Sequence, residues 1–191
     1  MHRISTIDGT LMQSKTIDDT EILSAYGVNM VDLNNDGNRQ LLVNNHQTSD
    51  KKNGVWAYEF PADPFNDDWT RKTIATNFHN AFSMTFTNMS PGFAYAVWPN
   101  GKHEGERAHI MVAGDGDHKA HCFSPTGEAS EFEYTDSVFD DASGTIAAMA
   151  FSDLDEDDWQ EMWVPNYDKS FIELWRISAK STSEKFLNFT Q

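Results

Sequence analysis

A nine-residue acidic segment occurs twice in this chain, and each copy stands directly before a short apolar run. The copy that we call the first loop reads DLNNDGNRQ at residues 32–40 and precedes LLV. The second loop reads DLDEDDWQE at residues 153–161 and precedes MWV. Oxygen-bearing side chains at loop positions one, three and five can all turn inward if the backbone coils around one point. A hard cation that takes about six to eight oxygen ligands fits such a point, so the repeat predicts two calcium-binding turns.

The residues after each loop do not fit an EF-hand. An EF-hand has a bidentate glutamate at position twelve and continues as a helix, whereas position twelve here is Val43 in one copy and Val164 in the other. Both valines lie in β-prone runs, so a strand is expected after each loop. In this shorter layout the ninth residue closes the ligand shell and the backbone carbonyl of the seventh residue adds an oxygen. The predicted calcium ligands are Asp32, Asn34, Asp36, Asn38 and Gln40 in the first loop and Asp153, Asp155, Asp157, Trp159 and Glu161 in the second loop.

The two loops differ in charge and in backbone freedom. The second loop offers four carboxylates at its ligand positions and the first loop offers two, so the second is predicted to bind calcium more tightly. Loop position six calls for a positive φ, which Gly37 adopts freely and Asp158 adopts at some cost. The alternative is that both segments are solvated acidic turns, because Asp, Asn and Gly are common in turns of any kind.

The two loops and their flanking apolar strands resemble the FG-GAP/VCBS repeat family, whose loop pattern is D-x-[DN]-x-[DN]-G-x-x-[DE]. The segments before the loops, residues 27–31 and 148–152, line up as well. The resemblance implies a β-propeller in which a calcium loop joins two strands of a blade. The chain departs from the pattern at Gln40, where the family has an acid, and at Asp158, where the family has glycine.

Internal repetition indicates an all-β fold. Three apolar triplets, at residues 41–43, 110–112 and 162–164, are each followed by a polar turn and a second apolar strand. They lie 69 and 52 residues apart, which is near the spacing of propeller blades. Residues 70–74 and 82–87 alternate with a period of two and are predicted strands as well. We expect a single domain over residues 1–191 with about three to four blades. These blades would form a small closed ring, part of a larger ring, or an arc completed by a neighbouring chain.

Charge and composition limit the partners and the location. With 14 basic and 30 acidic residues the net charge is −16, which disfavours nucleic acids and anionic membranes because both bind cationic surfaces. The sequence contains no apolar run of about 18 residues, so membrane insertion is not expected. A signal peptide is not visible, and Cys122 is the single cysteine. Because weak calcium loops suit the millimolar calcium outside cells, we predict an extracellular or cell-surface protein. Asn88 and Asn188 would then be glycan acceptors.

A histidine-rich segment is the main candidate for other chemistry. Asp115, His118 and His121, together with His103 and Glu104, offer imidazole and carboxylate ligands for a transition metal. The simpler interpretation is a polar turn with exposed imidazoles. No nucleophile or phosphate-binding motif stands out, so no catalytic residue is assigned.

The expected function is that of a calcium-stabilised binding or adhesion module. Trp69 and Trp98 lie beside turn residues and are predicted to expose their rings, which could stack on a glycan or anchor a protein partner. One alternative is an enzyme, because some carbohydrate lyases and dehydratases carry similar propellers, and the histidine-rich segment would then supply acid–base groups. Another alternative is a self-assembling subunit of a filament or surface layer.

Overall fold

Fourteen strands and two single 3₁₀ turns make up the regular structure of the described chain. The structure is a computed structural model. It describes the whole chain except Thr6, Glu21, Asp50, Lys51, residues 82–87, Asn100, His103, Glu104, Ala142, Ser143, Thr182, Ser183 and Gln191, and it describes side chains as far as Ile177. The predicted strand at residues 82–87 therefore lies outside the described residues. The strands are β1 (His2–Ile4), β2 (Leu11–Ser14), β3 (Ala25–Val31), β4 (Gln40–Asn45), β5 (Gly54–Glu59), β6 (Thr70–Thr76), β7 (Ala94–Val97), β8 (His109–Ala113), β9 (Ala120–Pro125), β10 (Tyr134–Asp140), β11 (Ala150–Ser152), β12 (Glu161–Asn166), β13 (Phe171–Ser181) and β14 (Glu184–Thr190).

Three successive four-stranded antiparallel sheets follow an N-terminal hairpin of β1 and β2. Sheet 1 contains β3 to β6, sheet 2 contains β7 to β10, and sheet 3 contains β11 to β14, and within each sheet every strand pairs with the next one along the chain. This arrangement confirms the all-β fold and the repeated plan. Each predicted apolar triplet lies in the second strand of its sheet. Within the described residues, no helix is long and apolar enough to span a membrane.

The three sheets are stacked face to face, with sheet 2 in the middle. Leu42 and Val55 of sheet 1 share an apolar cluster with Ile110 of sheet 2. Met111, on the opposite face of sheet 2, shares a second cluster with Met162 of sheet 3. All five residues of β8 are buried, which explains why residues 110–113 are a continuous apolar run without alternation.

The triplets follow one rule of orientation in all three sheets. The middle residue faces the following sheet, as Leu42 faces sheet 2 and Met111 faces sheet 3. The first and third residues face the preceding sheet, as Ile110 and Val112 face sheet 1. Each sheet therefore has two chemically distinct faces, and the stack has a direction.

Both outer faces of the stack carry apolar side chains. On sheet 1, Val43, Trp56 and Tyr58 form a small cluster that Ile17 and Ile22 of the N-terminal segment cover. Further along the same face, β3 leaves apolar side chains in solvent. The outer face of sheet 3 is also open, since Ile172 and Leu174 are exposed. The described residues do not form a closed ring, so the expectation of a propeller is not established by the fold.

Close packing fixes residue size where the sheets meet. A Cβ atom on Gly27 would lie 2.2 Å from the side-chain oxygen of Asn44 on the neighbouring strand. Asn44 in turn donates a hydrogen bond of 2.8 Å to the backbone carbonyl of Gly92, in the segment that leads into sheet 2. Gly27 therefore leaves space for the side-chain amide of Asn44, whose hydrogen bond to Gly92 connects sheets 1 and 2.

Because sheet 2 is buried on both faces, truncating one of its side chains should be costly. We expect Ile110→Ala to lower the free energy of unfolding by about 3 kcal/mol, because it removes a fully buried side chain and leaves a cavity. The control Val28→Ala alters a strand residue that is 60% exposed and should cost under about 1 kcal/mol. Urea denaturation measures both values. Equal losses for the two variants would show that sheet 2 is not the centre of the core.

Candidate functional site

The second loop is a tight turn organised by its own carboxylates. Asp153 accepts hydrogen bonds from the backbone N–H groups of Asp157 at 3.2 Å and Asp158 at 3.1 Å. Asp157 accepts another from the N–H of Trp159 at 3.0 Å. The backbone has positive φ at Glu156 (60°) and Asp158 (70°), which confirms the conformation expected at loop position six.

The first loop adopts the same turn between the first two strands of its own sheet. Asp32 accepts hydrogen bonds from the N–H groups of Asp36 at 3.1 Å and Gly37 at 2.8 Å, and Asp36 accepts one from Asn38 at 2.8 Å. Gly37 has φ of 90° and Asn35 has φ of 50°, which match positions six and four of the second loop. Two segments far apart in sequence therefore share one local structure.

Three carboxylates converge in the second loop. Asp153, Asp155 and Glu161 each place an oxygen within 4.8 Å of the others. Glu161 is 3% exposed, and its Oε2 accepts a hydrogen bond of 2.8 Å from the N–H of Leu154. Its Oε1 atom is buried and accepts no hydrogen bond. A buried carboxylate oxygen is costly unless positive charge lies beside it, so this donor set fits a hard cation such as calcium.

A cationic side chain lies against these carboxylates. Arg176 stands opposite Glu161 in the β12–β13 pair and forms an ion pair with Asp155. Its Nε lies 3.4 Å from Oε1 of Glu161, and its Nη1 lies 3.8 Å from Asp157. The arginine side chain is 49% exposed, so it compensates the acidic loop only partly. The loop motif does not include Arg176. The pairing of β12 with β13 brings it opposite Glu161, and the length of that hairpin in the sequence predicts this pairing.

The predicted ligands of the first loop are arranged differently. Among the described residues, the first loop contains no group of three converging acidic, histidine or cysteine side chains. The carbonyl of Asn38 accepts a hydrogen bond of 2.9 Å from Nε2 of Gln40. Asn34 is buried, and its Oδ1 atom accepts no hydrogen bond.

The histidine-rich segment forms a buried ion-pair network. His121 is buried between sheets 1 and 2, with Nε2 at 2.7 Å from Asp117 and Nδ1 at 3.1 Å from Asp136. Because the two carboxylates lie on opposite sides of the ring, they do not converge on a shared metal position. His118 is not in a strand but ends a 3₁₀ turn with φ of 59°. His103 and Glu104 lie outside the described residues.

Burial and charge act in opposite directions on His121. Burial lowers the pKa of its imidazole, but the hydrogen bonds and charges of Asp117 and Asp136 together raise it by more, to about 9. A second pair, His46 with Asp115, lies at 3.2 Å, and the hydrogen bond to Asp115 is the largest cause that raises the pKa of His46. Neither Asp136 nor His46 was singled out from the sequence, because both pairings depend on contacts between distant segments.

The two candidate tryptophans are half-buried rather than fully exposed. Trp69 donates a hydrogen bond of 3.0 Å to the carbonyl of Pro64 and packs against Phe60. It lines an apolar cavity of about 480 Å³ between the N-terminal segment and sheet 1. Trp98 donates a hydrogen bond to the carbonyl of Glu106, and Lys102 lies over its ring.

The two predicted glycan acceptors lie in different settings. The Asn88 side chain is half-buried and donates a hydrogen bond to the carbonyl of Ala81, so a glycan would have to replace that contact. Asn188 lies in β14, beyond the residues whose side chains are described.

Comparisons with protein-family models, with curated proteins and with solved structures find no match. The resemblance to FG-GAP/VCBS repeats therefore rests on the two loops and their flanking strands.

The His121 network should make stability depend on pH. The pKa of His121 rises from 6.5 to about 9 on folding, so its contribution is complete below about pH 6.5 and is lost as the pH rises towards 9. We expect the free energy of unfolding to fall by roughly 2–3 kcal/mol between pH 6.5 and 9.5, as urea denaturation would measure. His121→Gln should remove this fall.

His109→Gln is the matched control. Burial lowers the pKa of His109 to about 4, so this residue stays neutral over the whole interval and its replacement should leave the pH dependence unchanged. If His121→Gln loses stability with pH as steeply as the unaltered chain, the network is not the cause.

Proposed function

We propose that this chain is a calcium-stabilised β-propeller module that binds a protein or glycan ligand outside cells. The observation that carries the proposal is the buried Oε1 atom of Glu161, which accepts no hydrogen bond and belongs to a group of three converging carboxylates. Asp153, Asp155 and Glu161 would hold the ion. Because the ion would bind the folded turn and not the unfolded chain, its binding energy would contribute to folding.

Two features of the fold support a propeller arrangement. The first is the succession of four-stranded antiparallel sheets that pack face to face with a common direction. The second is the position of the two acidic loops, which join the first and second strands in sheets 1 and 3. In sheet 2 the corresponding connection between β7 and β8 lacks the acidic motif.

The location and ligand class follow from charge and from the shape of the surface. A net charge of −16 favours neither nucleic acid nor anionic membrane as partner, and loops of this size suit extracellular calcium concentrations. The cavity beside Trp69 favours a protein ligand over a glycan, because its lining is almost entirely apolar. Among the described lining residues, Asp18 is the one with a charged side chain, and its carboxylate already bonds to Tyr58 at 2.7 Å and Arg71 at 3.0 Å.

The enzyme alternative has less support from the site geometry. His121 is buried and both of its ring nitrogens face carboxylates, so it is poorly placed to exchange protons with a substrate.

Calcium should raise the thermal stability of the chain, and Glu161 should be required for the effect. At a calcium concentration 100 times the Kd, the stabilisation is about 3 kcal/mol, which raises the Tm by about 5–10 °C for a chain of this size. Thermal unfolding in calcium and in chelator measures the difference. Glu161→Gln should abolish it, whereas Glu128→Gln, an exposed acid outside the loops, should retain it.

Identical Tm values in calcium and in chelator would contradict the proposal. So would a calcium effect that Glu161→Gln leaves intact.

A second candidate function is that of a self-assembling subunit. The exposed side chain of Leu154, the second residue of the second loop, favours it. Leu33 of the first loop is fully buried against sheet 2, whereas the equivalent Leu154 is 60% exposed. The outer face of sheet 3 around it is apolar as well. Exposed apolar faces of this kind mark interaction surfaces.

The orientation rule of the triplets supports a second copy of this chain as the partner. The outer face of sheet 3 presents Trp163, the middle residue of its triplet, which is the type of face that a following sheet covers. The outer face of sheet 1 presents Leu41 and Val43, the type that covers a preceding sheet. The outer faces of sheets 1 and 3 are therefore complementary in a head-to-tail sense, although Ile17 and Ile22 of the N-terminal segment cover the part of the sheet 1 face around Val43. On sheet 1 the exposed part of that face is the β3 side, around Val28.

Assembly is tested by one charged substitution on the open face of sheet 3. Leu174→Lys should reduce the concentration-dependent mass measured by size-exclusion chromatography with light scattering. Val138→Lys is the matched control, since Val138 and Leu174 are both 44% exposed but Val138 lies on sheet 2. A chain that stays monomeric at every concentration, or an equal effect of both variants, would count against self-assembly.

A further inference from the structure

The ninth residue is anchored in the same way in both loops. Oε1 of Gln40 accepts a hydrogen bond of 2.8 Å from the N–H of Leu33. Oε2 of Glu161 accepts one of the same length from the N–H of Leu154. Both side chains are nearly fully buried, with exposed fractions of 4% and 3%. The two residues therefore occupy equivalent positions. The second terminal atom of each side chain, which the N–H of the leucine does not bind, then indicates how the loop is closed.

That remaining atom differs in chemistry. In the first loop it is Nε2 of Gln40, which donates a hydrogen bond of 2.9 Å to the carbonyl of Asn38, the seventh loop residue. In the second loop it is Oε1 of Glu161, which accepts no hydrogen bond but has Nε of the half-exposed Arg176 at 3.4 Å. A carboxylate oxygen cannot bond directly to the carbonyl of the seventh residue, because both are acceptors, so only a cation could link the two. A carbonyl and an amide N–H need no ion.

We propose that the amide of Gln40 replaces the bound cation in the first loop, so that residue nine decides which loop takes calcium. The first loop is then closed by a hydrogen bond and stays free of calcium, and the second loop is the calcium site. Oδ1 of Asn34 in the first loop is also buried without a hydrogen bond, but a neutral amide oxygen costs less to bury than a carboxylate oxygen and does not require an ion. This inference rests on the proposed calcium site of the second loop.

The residues that face Gln40 and Glu161 on the neighbouring strands agree with a calcium-free first loop and a calcium-binding second loop. Gln40 stands opposite Glu59, whereas Glu161 stands opposite Arg176. A carboxylate at position 40 would face another carboxylate directly, which destabilises a strand pair. The neutral amide avoids that repulsion, and the first loop needs no cation to offset it.

Contacts with the neighbouring sheet further stabilise the first loop. The carbonyl of Leu33 accepts a hydrogen bond of 2.7 Å from Ala108, and the carbonyl of Asn35 accepts one of 3.1 Å from Gly105. The equivalent Leu154 side chain of the second loop lies in solvent. The second loop also bonds to the connection between β7 and β8, through the N–H of Gln160 and the carbonyl of Pro99 at 2.8 Å. The loops therefore differ in the side chain at position two, which is buried in the core only in the first loop.

Exchanging the two ninth residues tests the inference. Calcium bound per chain would be measured by isothermal titration and by elemental analysis after equilibrium dialysis. We expect one ion for the unaltered chain, two for Gln40→Glu, none for Glu161→Gln, and one for the double exchange. Gln40→Glu should also add a second calcium-dependent rise in Tm. Because Glu59 faces this position, Gln40→Glu is paired with a second variant that also carries Glu59→Gln, which relieves the repulsion if the single variant folds poorly.

The outcomes separate this inference from the proposed function. Two ions in the unaltered chain, or no additional ion in both Gln40→Glu variants, would overturn the role of Gln40. No ion in the unaltered chain but one in Gln40→Glu would support the role of residue nine while removing the proposed calcium site of the second loop.

Discussion

Carboxylate oxygens that are crowded together repel one another, and the second loop places oxygens of three carboxylates, one buried and two exposed, within 4.8 Å of one another. The turn holds them there because backbone N–H groups bind Asp153 and Asp157, and because Glu161 is buried at the start of β12. Positive charge beside the buried Glu161 would offset the cost of this arrangement. Arg176 supplies part of it from a half-exposed position, and a divalent cation would supply the rest. The connection between β11 and β12, and therefore the start of sheet 3, depends on that balance.

Sheet stacking gives the two loops different surroundings. The first loop is covered by sheet 2, and its Leu33 side chain belongs to the core between the two sheets. The second loop has no sheet beyond it in this chain, and Leu154 lies in solvent. The same turn is therefore held in one place by packing and an internal amide, and in the other by charge. A second copy packed on the outer face of sheet 3 would add cover to the second loop as well.

The parts of the structure that were predictable from sequence are those set by local interactions. The two turns, the positive φ at Asp158 and the strands around the apolar triplets depend on residues close together in the chain. The parts that were missed depend on pairing between distant segments. Arg176 reaches the second loop through the register of β12 and β13, and Asp136 reaches His121 through that of β9 and β10. The expected exposure of Trp69 was only partly met, because the N-terminal segment lies over that face of sheet 1.

The most direct test of the central claim is an anomalous-scattering map from crystals grown in calcium, recorded at a long wavelength where calcium scatters anomalously. The account predicts a peak inside the second loop, in contact with Asp153, Asp155 and Glu161, and no peak inside the first loop. A second loop without a peak, with its carboxylates paired to Arg176 alone, would contradict it.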